Sequence, residues 1–245
     1  LIERVSGKPR RETTLSRGTA ADAIARSKPV AWWRLDEFHG PHAVDASGHD
    51  RDAVYERGVT YYLAGPRSKS FCSDGQVNRA AMFVGGRLRS RIGQLGDRYS
   101  VSLWLWNGMP NTGRAVSGWL FSRGRDNGLA RHSDHLGIGG TSGHTGRLIF
   151  MRGRDASSII SGQTEIPRWQ WQHVVFVRDR QQVQVYLNGE LEIESTVAGD
   201  FPPGFDRLFF GGRSDNESNW EGRLDEISVF DRPLQAGEVS TLWGQ

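Results

Sequence analysis

The sequence has one cysteine, few lysines and no long apolar run, and each of these shortages excludes a class of protein. Because Cys72 is the single cysteine among 245 residues, the chain cannot form an internal disulfide or a cysteine-ligated zinc site. No apolar stretch approaches the roughly 18 to 20 residues of a membrane-spanning helix, so we expect no direct membrane insertion. The sequence also lacks an H-E-x-x-H motif, a G-x-S-x-G motif and a phosphate-binding loop.

Positive charge comes almost entirely from arginine. The formal net charge is +3, from 31 Lys+Arg against 28 Asp+Glu, and lysine occurs only at Lys8, Lys28 and Lys69. The arginines are dispersed among acids, whereas a nucleic-acid partner needs a basic stripe or a recognition motif. We therefore expect a salt-bridged surface and no nucleic-acid partner. Preference for arginine over lysine also suggests a GC-rich bacterial source.

The pattern of large apolar side chains and turn residues predicts an all-β domain. Nine tryptophans and eleven phenylalanines argue against disorder, and the length allows a sizeable core. Short segments rich in Val, Phe, Trp, Tyr and Leu alternate with Gly, Asn, Asp and Ser clusters, which predicts strands at 31–36, 80–84, 87–92, 99–106, 118–123, 135–138, 148–152, 173–178, 183–188, 191–195, 207–211 and 222–231. So many strands with almost no helix between them favour two antiparallel sheets in a sandwich or jelly roll.

Local signals add a hairpin and two short helices to this sandwich. Asn188-Gly189 suits a type I′ turn between two strands, because both central residues of that turn need positive φ. Helices are predicted at 20–26, with Thr19 as the N-cap, and at 236–243. We interpret residues 1–28 as a linker or N-terminal arm with a short helix, and residues 29–245 as one domain.

Several blocks of the sequence resemble laminin-G-like jelly rolls of the concanavalin A-like lectin and glucanase superfamily. They run in the family's order at 29–37, 43–48, 81–83, 99–104, 171–175, 185–189 and 222–234. The resemblance implies a jelly roll over about residues 29–243. It does not fix the activity, since this fold hosts lectins, adhesion modules, glycosidases and non-catalytic accessory domains.

The resemblance implies a structural calcium site in some members, close to the first and last strands. Calcium takes several oxygen ligands, and the matching acids here are Asp36, Glu37, Asp45 and Asp225. The alternative is that these acids cap turns and pair with arginines such as Arg34 or Arg223.

Trp106 is the candidate platform for a sugar ring. In 101–106 the odd-numbered apolar residues share one strand face, and Ser102, Trp104 and Trp106 share the other. The resemblance makes Trp104 a packed tryptophan, whereas Trp106 stands where a polar residue is expected; the alternative is that Trp106 is buried too. Polar contacts to a ligand are predicted from loop residues that also suit ordinary turns, namely Asp126, Asn127 and Asp215.

Three alternating arginines, Arg87, Arg89 and Arg91, are predicted to line one strand face. Their planar guanidiniums suit sulfate or carboxylate groups, and several laminin-G-like modules bind anionic glycans, so an anionic polysaccharide is a reasonable ligand. The alternative is a charged outer face that discourages edge-to-edge aggregation.

An enzyme hypothesis rests on Glu190, Glu192 and Glu194, whose spacing places three carboxylates on one face of a strand. Glycosidases with this fold use a similar acidic triad, normally with Asp in the middle. The alternative is a solvated acidic face on a hairpin arm, with Leu191 and Ile193 facing the core. His173 is expected to line the core.

We therefore predict a non-catalytic recognition module rather than an enzyme. Its expected partner is a glycan, an anionic one included, or a cell-surface or extracellular protein. The expected location is extracellular, periplasmic or on the cell surface, as part of a larger multidomain chain. Two alternatives stay open: an interaction or structural module without a sugar site, and a glycoside hydrolase that uses Glu190, Glu192 and Glu194.

Overall fold

The computed structural model describes residues 16–244 apart from Gln94, Asp200 and Pro203. Its three helices are α1 (Thr19–Arg26), α2 (Ser68–Phe71) and α3 (Ala236–Trp243), and a 3₁₀ turn spans Ala156–Ser158. The strands in chain order are β1 (Ala31–Trp33), β2 (His42–Ala43), β3 (Ala53–Tyr55), β4 (Val59–Ala64), β5 (Arg79–Val84), β6 (Leu88–Arg91), β7 (Arg98–Asn107), β8 (Val116–Gly124), β9 (Asp134–Gly140), β10 (Gly143–Arg152), β11 (Ile160–Glu165), β12 (Trp171–Asp179), β13 (Gln182–Leu187), β14 (Glu190–Thr196), β15 (Arg207–Phe210) and β16 (Glu221–Phe230).

The strands form two antiparallel sheets, as predicted. The first sheet has the order β14-β13-β12-β7-β16-β5-β4, and β1 also pairs with β16. The second sheet has the order β11-β10-β9-β8-β15-β6-β3-β2. The sandwich is therefore of the concanavalin A-like, jelly-roll type.

The core lies between the sheets and follows the alternation of β7. Val101, Leu103 and Leu105 are buried in the main cluster, which also contains Phe121 and Phe176 from the two sheets. Because successive strand residues point to opposite faces, Ser102, Trp104 and Trp106 lie on the outer face of the first sheet.

The three helices cover only part of that outer face. They bury a second apolar cluster that includes Ile24 of α1, Phe71 of α2, Leu242 of α3 and Trp104 of β7. The ring of Trp104 stacks on Trp243 with centroids 5.2 Å apart, which confirms the packed position expected for Trp104. Trp106, on the same face, is outside this cluster and is partly exposed.

Several local predictions are confirmed and several are wrong. The hairpin turn has φ of 53° at Asn188 and 89° at Gly189, and α3 spans the predicted residues. The N-cap of α1 is Gly18 rather than Thr19, and no side chain caps this helix. Strands β2, β3, β4 and β11 and helix α2 were not predicted.

The predicted boundary at residues 28 and 29 stays a prediction. Residues 1–15 lie outside the described part of the chain, but α1 is packed on the sandwich, since its Ala21 and Ile24 are buried with Trp32 and Phe71. Among the described residues, no helix is long and apolar enough to cross a membrane.

Candidate functional site

The outer face of the first sheet gathers tryptophans from two strands. Trp171 of β12 lies directly opposite Trp106 of β7, which in turn lies opposite Arg223 of β16. Residues paired in this way project from the same face with their Cβ atoms about 5 Å apart. Both tryptophans are partly exposed, so solvent can reach aromatic side chains from two neighbouring strands. We call Trp106, Trp169 and Trp171 the tryptophan surface.

Trp169 extends this surface beyond the end of β7. Its side chain is 61% exposed, although its backbone N–H donates a 2.9 Å hydrogen bond to the carbonyl of Asn107. The φ of Trp169 is 62°, an uncommon conformation for a bulky residue. Trp169 therefore presents its side chain to solvent from a constrained backbone next to the end of β7.

Two arginines flank the tryptophans. The guanidinium of Arg223 lies 4.7 Å from the ring of Trp106, and Arg168 lies 4.2 Å from the ring of Trp169. Each arginine is fixed by a backbone carbonyl: Arg223 donates to Ala64 at 2.9 Å and Arg168 to Gly108 at 3.0 Å. The surface therefore combines aromatic faces with oriented hydrogen-bond donors.

The predicted arginine face lies on the second sheet, away from Trp106. The guanidinium of Arg87 is buried and binds both carboxylate oxygens of Glu56, at 2.7 and 2.8 Å. Arg89 donates to Asp126 at 3.0 Å, and the exposed Arg91 donates to Asp206 at 2.6 Å. All three arginines thus have internal carboxylate partners.

The predicted loop contacts also lie with the second sheet. Asp126 accepts hydrogen bonds from Arg89 and from Arg207, both through Oδ2. The backbone N–H of Asn127 donates to the carbonyl of Ser214, and Asp215 holds Arg213 with two 2.8 Å hydrogen bonds. These residues are not brought together with Trp106, and their predicted contact with a ligand stays a prediction.

The four predicted calcium ligands are divided among separate networks. Asp45 accepts backbone hydrogen bonds from Trp32 and Ser47 through Oδ1 and from Arg51 through Oδ2. Glu37 accepts the backbone N–H of Val44 and the hydroxyl of Tyr55. Burial raises the pKa of Glu37 to about 7, although both hydrogen bonds oppose that shift.

Asp36 and Asp225 are the two predicted calcium ligands that each keep one carboxylate oxygen without a hydrogen bond from the described residues. Asp36 Oδ2 and Asp225 Oδ1 are buried and accept no hydrogen bond from the described residues. Burial raises the pKa of both carboxyls, and Arg34 acts against this as the neighbouring positive charge. Calcium takes six to eight oxygens. Within the described residues no three His, Cys, Asp or Glu side chains are grouped to hold a metal, and calcium at these acids stays a prediction.

The glutamates of the enzyme hypothesis do not share a face, and this prediction is wrong. In the pairing of β13 with β14, the register shifts between Val185, opposite Ile193, and Tyr186, opposite Leu191. Glu190 therefore shares the side of the core residue Leu187, whereas Glu194 pairs with Gln184 on the outer face. The same bulge leaves Leu191 48% exposed, although the alternation placed it in the core; Ile193 is buried as expected.

Glu192, inside the bulge, binds the edge of the second sheet. Its Oε1 accepts the backbone N–H groups of Gln163 and Thr164 at 2.5 and 2.6 Å, and its Oε2 accepts the hydroxyl of Thr164 at 3.0 Å. Glu192 thus connects β14 to β11, which is a structural role.

His173 is buried, as expected, beneath the C-terminal helix. One ring nitrogen lies 2.8 Å from the hydroxyl of Ser102, and the ring packs beside Trp104 and Trp243. Burial lowers the pKa of His173 to about 3, helped by the positive charge of Arg67. The imidazole is therefore neutral at ordinary pH.

Sequence analysis found one member of the tryptophan surface and missed the rest. Trp171 was noted only within a family block, and Trp169, Arg168 and Arg223 were not selected as ligand-binding residues. The signal in the sequence was the alternation of Trp169 and Trp171 at the start of a strand. Their position beside Trp106 depends on strand pairing, which the sequence alone does not give.

Comparison with known proteins identifies the family and the fold. Residues 86–240 match the Laminin_G_3 family, described as belonging to the concanavalin A-like lectin/glucanases superfamily. No curated protein sequence matches this chain.

Three solved structures illustrate the similarity. Domain 4 of AbnA, an extracellular GH43 arabinanase from Geobacillus stearothermophilus solved in complex with arabinotriose, is 22% identical; the match covers 88% of this chain and 98% of that domain, with a TM-score of 0.65. The binding domain of Paraclostridial Mosquitocidal Protein 1 is 15% identical over 89% of this chain, with a TM-score of 0.62, and this chain spans 52% of it. Trypanosoma rangeli sialidase is 14% identical over 90% of this chain, with a TM-score of 0.64, and this chain spans 33% of it.

Because these three structures are only 14% to 22% identical to this chain, the similarity establishes the fold and does not establish the function. The family match covers more than half of the chain, and it agrees with the two-sheet sandwich and with the sequence blocks along it. The chain therefore belongs to the Laminin_G_3 family of the concanavalin A-like lectin/glucanases superfamily.

Proposed function

We propose that this domain is a non-catalytic binding module that holds a glycan against the tryptophan surface. The observation that carries this proposal is the register of β12 with β7, which places the partly exposed Trp171 and Trp106 side by side. Trp169 adds a side chain that is 61% exposed, and Trp171 packs partly against the helix-covered cluster while staying partly exposed.

The chemistry of this surface suits a sugar. A pyranose or furanose ring presents C–H groups on its faces and hydroxyls on its rim. Large rigid aromatic rings bind such C–H groups by dispersion and by removal of apolar area from water. The N–H groups of Arg168 and Arg223 supply donors beside the rings, and they extend the range of ligands to sugars that carry carboxylates.

Catalysis is not part of the proposal. A retaining glycosidase needs two carboxyl groups about 5 to 5.5 Å apart on either side of the scissile bond. Glu190 and Glu194 project to opposite sides of β14, and Glu192 is held by Gln163 and Thr164.

The structural neighbours support a binding role outside the cytoplasm. AbnA domain 4 belongs to an extracellular enzyme and was solved with arabinotriose, and the mosquitocidal neighbour is a binding domain. By analogy, the module acts in an extracellular, periplasmic or cell-surface setting as part of a larger chain. A protein receptor is the alternative partner for the same surface.

The proposal is tested by a glycan screen with the isolated domain. Neutral and uronic-acid oligosaccharides, arabinotriose included, are screened by isothermal titration. Substitution Trp106→Ala or Trp171→Ala is expected to weaken any binding by about tenfold or more, because each removes an aromatic stacking face.

The matched control is Phe38→Ala, which removes an aromatic side chain that is 75% exposed at another place on the surface. Binding that survives Trp106→Ala and Trp171→Ala but is lost in Phe38→Ala would place the site elsewhere. A screen without any hit, together with capture of a protein ligand that needs Trp106, would establish the protein-receptor alternative.

A further inference from the structure

A separate cavity lies where the segment before α1, the residue after α1 and the loop after β2 meet. Its volume is about 460 Å³, and Trp32 and Pro29 contribute apolar lining. We call it the α1 cavity. It is lined by none of the residues of the tryptophan surface.

The charge of the α1 cavity is of one sign. The cations Arg17 and Lys28 line it together with His49, and no Asp or Glu is among the described residues that do so. Arg17 and Lys28 lie on either side of α1 in the sequence, and the fold brings both cations to one space. Like charges that share a cavity repel one another, so their convergence is favourable when an anion is bound between them.

The backbone fixes where Lys28 lies. Lys28 follows Ser27, the C-cap of α1, and its φ is 54°. Its ammonium forms no hydrogen bond or ion pair with any described residue, and the side chain is exposed. Lys28 is therefore available to a ligand without the loss of an internal partner.

Arg17 is held at the other side of the cavity. Its backbone forms an isolated bridge with Cys72, and its guanidinium lies 5.9 Å from the ring of Trp32. This cation–π contact orients the guanidinium and uses none of its five N–H donors.

Two acids near the cavity, Asp45 and Glu226, are already bound. Asp45 lies beneath the loop, but its oxygens accept the backbone N–H groups of Trp32, Ser47 and Arg51. Behind Trp32, Glu226 is bound by Arg34 at 3.0 Å. Neither carboxylate is free to neutralise Arg17 or Lys28.

We propose that the α1 cavity binds a small organic anion whose carboxylate, sulfate ester or phosphate ester lies between Arg17 and Lys28. The hydroxyl of Ser47, which lies 2.9 Å from Nδ1 of His49, adds a polar contact at the same wall. This site is independent of the proposed glycan surface.

The probes are glucose 6-phosphate, glucuronate and neutral glucose, titrated at low ionic strength into the ¹⁵N-labelled domain and followed by amide chemical shifts. The two anions are expected to shift amides of the α1 cavity in a saturable way, and glucose is not. Arg17→Gln and Lys28→Gln should each weaken anion binding roughly tenfold, since each removes a charge-assisted hydrogen bond.

Matched controls are Lys69→Gln and Arg57→Gln, two exposed cations outside the cavity, which should leave binding unchanged. Trp106→Ala should also leave it unchanged, so failure of this proposal is distinguishable from failure of the glycan proposal. The proposal is overturned if glucose binds as well as the anions, if no anion saturates, or if the controls weaken binding as much as Lys28→Gln. Because the substituted arginines and lysines are exposed, an unchanged thermal midpoint verifies that each of these variants is folded.

Discussion

The indole N–H of Trp32 donates a 2.7 Å hydrogen bond to Oε2 of Glu226, and so joins the first strand of the fold to the last across 194 residues of sequence. The other oxygen, Oε1, binds the guanidinium of Arg34 at 3.0 Å, and all three side chains are buried. A buried charge is tolerated when its partners are in place, and the loss of one partner leaves the other uncompensated.

Glu226→Ala is expected to destabilise the fold by about 3 to 5 kcal/mol, because it leaves Arg34 buried without its carboxylate. Glu226→Gln should cost less, since the amide oxygen still accepts one hydrogen bond. Urea unfolding measures both values. The control, Glu217→Ala, removes an exposed carboxylate and should change stability by no more than about 0.5 kcal/mol. Equal effects from Glu226→Ala and Glu217→Ala would contradict the role of the buried pair.

Glu37 is expected to make stability depend on pH. Its pKa is about 7 in the folded protein because burial disfavours the carboxylate, against an ordinary value of 4.5. The folded state therefore holds a proton that the unfolded state has released, and stability falls as pH rises from about 4.5 to 7, by about 3 kcal/mol in total.

Glu37→Gln removes this titration and keeps an acceptor for Val44 and a polar group for Tyr55. The variant should match the native protein near pH 4 and exceed its stability at pH 8, as measured by urea unfolding across that range. Parallel pH profiles of the two proteins would show that Glu37 does not titrate in this window.

Glu192 is expected to stabilise the folded state, whereas Glu190 is not. Glu192→Ala breaks three hydrogen bonds between the edges of the two sheets and should cost about 2 kcal/mol. Glu190→Ala removes an exposed side chain and should be nearly neutral. Thermal or urea unfolding distinguishes the two. A large loss of stability in Glu190→Ala would contradict the assignment of the bulge.

Calcium is expected to leave the thermal midpoint unchanged, because the oxygens of Asp45 and Glu37 are already bound and Arg34 is the cation beside Asp36 and Asp225. The measurement compares the domain in EDTA with the domain in excess calcium. A rise of several degrees that is lost in Asp225→Asn would instead establish the calcium site that the family resemblance implies, since a ligand that binds only the folded state stabilises it.

The sequence predicted the features that depend on local periodicity. In β7 the period of two placed Val101, Leu103 and Leu105 inside and Trp104 and Trp106 outside, and the structure has this arrangement. The Asn188-Gly189 turn was equally local, because its geometry follows from two residues that accept positive φ.

Features that depend on register were not predictable. A one-residue bulge in β14 moved Leu191 out of the core and separated Glu190 from Glu194. A second bulge, between Asp225 and Ser228 of β16, holds Glu226 with φ of 47° and lets it reach Trp32. The pairing of Trp171 with Trp106 likewise exists only after distant strands meet, so one residue of the candidate surface was visible and its neighbours were not.

The position of β16 has a consequence for synthesis of the protein. Among the described strands β16 comes last in chain order, yet it lies in the interior of the first sheet, between β7 on one edge and β5 and β1 on the other. While residues 221–230 are still inside the ribosome, the first sheet lacks the strand that joins β7 to β5. Both of these strands then have an unpaired edge, and Arg34 lacks its partner Glu226. Ribosome stalling or premature termination upstream of β16 therefore yields a species that is prone to edge-to-edge association rather than a smaller working domain.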